Sequence, residues 1–259
     1  PYDWRTGPTE WTAPGGDYQK LKALIEDTVA RNGGRRARLI SLSLGGPYFH
    51  LFLTRFLSGA VADGGCGSAQ AAQQWKDAHI ENWMALSSLW NGVSLAAHML
   101  TAGYASSIFP KWLTWLDPAD ERQVTRTMPG IPYMIPVPYK LANGSMHDPV
   151  QVTTGAQTGN GREYRASQMG ELLAAAGADN ALALYNRSVE AHSNLLEHPG
   201  VTTYCWHGTN ISTEVGLRFN GTDLSEQPTL IKTMEGDGTV SMDSMQACKL
   251  WPAQAAHPV

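Results

Sequence analysis

From Asp17 to Arg31 the apolar side chains Tyr18, Leu21, Leu24, Ile25 and Val29 recur at the spacing of an amphipathic helix, with Asp17 as its N-cap and Gly33-Gly34 as its stop. An apolar run over residues 37–42 predicts a strand. After Ser43 and the pair Gly45-Gly46, residues 47–57 predict a helix with Pro47 in its first turn. Residues 58–72, rich in Gly, Ala and Ser, are expected to form a surface loop. Residues 80–87 predict a second strand, ending in the loop Ser88-Leu89-Trp90-Asn91-Gly92. Helix, strand, sharp turn and helix in that order are the grammar of an α/β fold with a parallel sheet.

The pattern changes beyond Gly92. Helical spacing over 93–100 and 169–196 flanks a Pro-rich apolar stretch, 109–139, which includes Trp112, Trp115, Met128, Pro132, Tyr133 and Tyr139. That stretch is expected to belong to a cap inserted into the sheet domain. Strand character returns over 201–207 and 228–234, the second run leading into Gly236-Asp237-Gly238-Thr239-Val240, and residues 249–259 are expected to begin a last strand. The expected organisation is a core of residues 1–92 and 201–259, incomplete at both ends, around a cap of residues 93–200.

Composition narrows the function classes. Among 259 residues, 42% are hydrophobic and 16% charged, which suits a globular core rather than a disordered chain. The 19 Lys and Arg against 23 Asp and Glu leave no basic excess for phosphates, so nucleic acid is not an expected partner. No run of about 18 apolar residues exists to span a bilayer. The three cysteines, Cys66, Cys205 and Cys248, allow one bridge and one free thiol. Sequons stand at Asn143, Asn186, Asn210 and Asn220; beside a possible bridge they favour a secreted or lumenal compartment, because both modifications need the lumen. The start at Pro1 reads as that of a fragment or a processed form.

The chemistry points to Ser43. Ser41-Leu42-Ser43-Leu44-Gly45 has the spacing of a nucleophile elbow, in which a serine sits on a strained strand-to-helix turn. Ser41 stands where the motif has Gly. The backbone N–H of Leu44, at the start of the following helix, is the candidate oxyanion donor. Asp237, between two glycines after a strand-like run, is the candidate acid that orients an imidazole, or else an ordinary turn Asp. Chain order agrees with nucleophile first and acid second. The histidine is the difficulty, since only His257 follows Asp237, and it falls inside the expected last strand rather than in a loop beyond it.

With elbow, cap and acid in place, the chain resembles the lecithin:cholesterol acyltransferase family, which also holds lysosomal phospholipase A and the phospholipid:diacylglycerol acyltransferases. The resemblance rests on Pro1-Tyr2-Asp3-Trp4-Arg5, Ser43-Leu44-Gly45-Gly46, Trp75-Lys76-Asp77, Trp90 with Gly92, Glu121-Arg122, Tyr204-Cys205, Gly236 to Val240, and Cys248-Lys249-Leu250-Trp251. The resemblance implies an α/β-hydrolase fold with Ser43 as nucleophile, Asp237 as acid and a Cys205–Cys248 disulfide. It places the catalytic His beyond Val259, and a second oxyanion donor and a membrane-binding lid before Pro1. The implied reaction moves a fatty acyl group from a phospholipid through Ser43 to a sterol or other lipid alcohol, at a membrane or lipoprotein surface, with no cofactor and no metal. Hydrolysis of the same ester is the alternative, and a non-catalytic truncated product a second. A triad without its base loses several powers of ten in rate, so these 259 residues alone are expected to be nearly inactive.

Overall fold

The computed structural model describes residues 2–103, 117–155, 161–192, 195–252 and 256–259. Phe109, Pro110, Trp112 and Trp115 of the expected cap lie outside the described residues. In chain order the first elements are α1 (Pro8–Thr12), α2 (Asp17–Arg31), β1 (Ala37–Leu42), α3 (Gly45–Leu51), α4 (Ala69–His79), β2 (Ile80–Leu86) and α5 (Ser94–Thr101). A π-helical turn, Phe52–Phe56, continues α3. Then come α6 (Pro118–Thr125), α7 (Gly130–Tyr133), β3 (Tyr139–Lys140), β4 (Met146–His147), β5 (Val150–Thr153) and β6 (Glu163–Arg165). The chain continues with α8 (Met169–Ala175), α9 (Asp179–His192), β7 (Thr203–Trp206), β8 (Ile211–Arg218), β9 (Leu230–Gly236) and α10 (Met242–Met245). These group into two units: Pro1–Trp90 with Ser193–His207 and Met245–Val259, and Asn91–His192 with Gly208–Ser244. Residues 208–244, expected in the core, thus fall in the second unit with most of the expected cap.

The first unit is built on a parallel sheet in the order β1-β2-β7. Strand alternation sends Leu39 and Ser41 of β1 inward, while Ile40 and Leu42 are 65% and 66% exposed. Ile40 pairs across with Met84 and Tyr204, and Leu42 with Leu86 and Trp206; Tyr204 and Trp206 are exposed too. One face of this sheet therefore carries apolar side chains to solvent, whereas parallel sheets are usually covered on both faces. The other face buries Trp83, Trp90 and Trp251, with ring centroids 4.9 to 6.4 Å apart. Tyr18, Tyr48, Phe52 and Phe56 form a second aromatic cluster beside α2 and α3, fixed by the Tyr18 hydroxyl donating to the Tyr48 carbonyl at 2.8 Å.

The second unit holds a mixed sheet, β6-β5-β8-β9, in which only the β5–β8 pair is parallel, and the hairpin β3–β4. Arg126 links its helices. The guanidinium donates to the Leu100 carbonyl at 2.8 Å and the Ala176 carbonyl at 3.1 Å, near the carboxyl ends of α5 and α8, where a cation complements the helix dipole.

Several expectations need correction. Gly16, not Asp17, is the N-cap of α2. The expected loop 58–72 yields at Ala69 to α4, capped by the Ser68 hydroxyl accepting from Ala71 N–H. The helix expected over 169–196 breaks into α8 and α9 at Gly177, whose φ of 59° is left-handed. The tail forms no strand among its described residues. Gln246–Leu250 is a 3-10 turn, and the Thr203 N–H, donating to the Pro258 carbonyl at 3.0 Å, ties the end of the chain to β7.

Candidate active site

Ser43 follows the last residue of β1 and has φ 54°, a left-handed conformation that costs a non-glycine residue roughly 1–3 kcal/mol. Two bonds hold it there. Its N–H donates to the Leu86 carbonyl of the neighbouring strand at 2.9 Å, and its carbonyl accepts from Gly46 N–H at 2.9 Å. Leu44 is the N-cap of α3, so its N–H stands at the helix end where backbone donors lack intrahelical partners and the dipole is positive. Strand, left-handed serine and helix N-terminus thus follow one another within a single turn of chain.

The small residues of the turn have steric reasons. A Cβ on Gly45 would stand 3.2 Å from Ser41 Cβ, and one on Gly46 would collide with Ser88 Cβ and Oγ. Ser41 is accommodated because Trp83, wholly buried on β2, donates its indole N–H to Ser41 Oγ at 2.9 Å. That bond links residues 42 apart, so no local sequence signal could announce it. Ser88 Oγ is buried without a hydrogen-bond partner among the described residues.

Asp237 belongs to the second unit and closes a tight turn after β9. Its Oδ1 accepts from Thr239 N–H at 2.9 Å and Val240 N–H at 2.7 Å. Gly238, at φ 97°, donates its N–H to Thr213 Oγ1 at 2.8 Å. The turn thus engages one carboxylate oxygen and leaves Oδ2 outside those two bonds, so the turn and orienting roles are compatible on one side chain.

His257 sits elsewhere in the first unit. Its Nε2 lies 3.4 Å from Asp77 Oδ1 and 3.2 Å from Gln73 Nε2, both on α4, and the adjacent Pro258 carbonyl binds Thr203 at the amino end of β7. Ser43 follows the carboxyl end of β1, the opposite end of this parallel sheet. His207, which precedes Asp237 in the chain, directly follows β7 at its carboxyl end, with a buried Nδ1 that has no hydrogen-bond partner among the described residues. His50 is buried, contacts the Glu197 carbonyl through Nε2 at 2.6 Å, and has its pKa lowered to about 4 by loss of solvent.

Cys205 on β7 and Cys248 on the 3-10 turn are disulfide-bonded across a separation of 43 residues, with Cα atoms 6.9 Å apart. Cys66 is free, and burial raises its pKa. Among the described residues no group of three or more His, Cys, Asp or Glu is arranged to hold a metal, and no helix is long and apolar enough to cross a membrane.

The family model "Lecithin:cholesterol acyltransferase" matches residues 1–158 and 180–259. Among relatives, the chain is 24% identical to "Lysosomal phospholipase A and acyltransferase" of Rattus norvegicus, over 100% of this chain and 54% of the relative. It is 27% identical to "Phosphatidylcholine-sterol acyltransferase" of Gallus gallus, over 100% of this chain and 54% of the relative. To "Lecithin-cholesterol acyltransferase-like 1" of Arabidopsis thaliana the identity is 26%, over 96% of this chain and 52% of the relative. The chain spans about half the length of these relatives.

Proposed function

The chain belongs to the lecithin:cholesterol acyltransferase family, and from that membership we propose that it carries the nucleophile and the acid of a phospholipid-dependent lipid O-acyltransferase with an α/β-hydrolase fold. The observation that carries the proposal is the left-handed Ser43 between a parallel strand and a helix N-terminus. In the first step Ser43 Oγ attacks the ester carbonyl of a phospholipid, a histidine oriented by Asp237 takes the hydroxyl proton, and the lysophospholipid leaves with that proton. The oxyanion that forms is met by the Leu44 N–H. In the second step the histidine deprotonates a lipid alcohol, which attacks the acyl-enzyme and restores Ser43. His257, held by Gln73 and Asp77, is not assigned this role.

Water in place of the alcohol gives phospholipase A activity from the same acyl-enzyme. The rat relative, named as both phospholipase A and acyltransferase, favours this second reading. Residues 93–200 are the proposed cap insertion, and the Trp- and Tyr-containing composition of 109–139 suits acyl chains or a lipid surface, where those residues are favoured. A secreted or lumenal compartment is supported by the Cys205–Cys248 bond. Incubating the complete gene product with acyl-labelled phosphatidylcholine, with and without a sterol or long-chain alcohol, tests the proposal. Labelled ester is expected when alcohol is supplied. Label confined to free fatty acid would reject acyl transfer in favour of hydrolysis, and unconsumed phospholipid would reject both.

A further inference from the structure

Four sequons are present, and the structure separates them. Asn186 and Ser188 lie within the helix α9, and Ser188, 3% exposed, donates its hydroxyl to the Tyr185 carbonyl at 2.9 Å. Asn210 precedes β8, and its acceptor hydroxyl residue, Ser212, is already paired in the ladder with Glu235 of β9. Asn220 Oδ1 accepts from the Thr229 hydroxyl at 3.0 Å, a donor outside its own sequon. Asn143 differs from all three. It lies at the tip of the β3–β4 hairpin, where every residue from Ala142 to Met146 is exposed and a Cβ added at Gly144 would meet nothing within 4 Å.

The local bonding at that tip also suits the chemistry. Asn143 Oδ1 accepts from the Ser145 hydroxyl at 2.7 Å and from Ser145 N–H at 3.0 Å, while the Leu141 and Ser145 backbones close the turn. Both donors draw electron density from the amide oxygen, which eases loss of a proton from Nδ2, and Asn143 as a whole is exposed.

We propose that Asn143 is an N-glycan attachment site of this protein, used in preference to Asn186. Nδ2 attacks the anomeric carbon of an oligosaccharide carried on a polyprenyl pyrophosphate. The anomeric carbon–oxygen bond breaks, the lipid pyrophosphate leaves, and one amide proton passes to the transferase. The proposal rests on the lumenal reading of the compartment given above.

The chain is expressed in eukaryotic cells behind a cleavable secretory leader, and the total pool, secreted and retained, is digested with a peptide N-glycosidase and mapped by mass spectrometry. The leader makes the outcome independent of where the native protein resides, so the site and the compartment reading fail separately. Enzymatic release is expected to convert Asn143 to Asp. Asn143→Gln and Ser145→Ala should each remove one glycan, and Ser145→Thr should retain it. An unmodified Asn143 peptide, or Asn186 occupied as fully as Asn143, would overturn the proposal.

Discussion

The bond between Trp83 and Ser41 is the most informative place to perturb the fold around the nucleophile. Ser41→Ala removes one oxygen and leaves the Trp83 indole N–H, 0% exposed, without its 2.9 Å acceptor. An orphaned buried donor costs about 1–3 kcal/mol, whereas the lost bond alone would cost about 1. For a chain of this size that corresponds to a fall of roughly 3–10 °C in Tm. Trp83→Phe orphans the Ser41 hydroxyl instead and adds a cavity where the larger ring was, so it should cost more. In the double variant neither polar atom is left buried and unpaired, and the combined cost should fall short of the sum by about 1–2 kcal/mol. Urea unfolding followed by circular dichroism on the four proteins, disulfide kept oxidised, gives the cycle. Ser41→Ala within about 0.5 kcal/mol of the wild type, a change typical of featureless surface sites, would refute the argument. Additive effects would refute it too.

Three further outcomes follow from other contacts. Gly46→Ala should cost about 1–3 kcal/mol because the new Cβ collides with Ser88, and Ser88→Gly in the same chain should recover part of the loss; an unchanged unfolding midpoint would contradict this. Cys248→Ser should lower the urea midpoint by an amount equivalent to about 2–4 kcal/mol under oxidising conditions and have no such effect under reducing ones. His50, whose pKa is lowered to about 4, favours the folded state fully only above the unfolded value of about 6.5. As pH falls from about 6.5 to about 4 the unfolded chain takes up the proton first, so stability should drop by on the order of 3 kcal/mol. His50→Gln should flatten that limb of the pH profile, and parallel profiles for the two proteins would count against it.

Where the apolar spacing is regular, the elements could be read from it. The extent of α2 follows from its stripe and its two stopping glycines, and β1 follows from an apolar run closed by Ser43. In α4 only Ala72, Trp75 and Lys76 are buried, so an Ala- and Gln-rich helix passes for loop. Strand β8 is hidden for a different reason. Its register shifts between Glu214 and Gly216, which interrupts the two-residue alternation. The carboxyl-terminal tail looks strand-like in composition, yet Pro252 and Pro258 withhold two backbone donors that a ladder would use. At the candidate site, Ser43 and Asp237 are visible through their small neighbours, because tight turns demand them. The device that lets Ser41 stand where Gly is usual is a tertiary hydrogen bond, which no local pattern carries.

The central claim is that Ser43 forms the acyl-enzyme. The complete gene product should be treated with a fluorophosphonate and its peptides mapped. The account predicts a single adduct on the peptide bearing Ser43, absent from Ser43→Ala; an adduct on another residue, or undiminished labelling of Ser43→Ala, would contradict it.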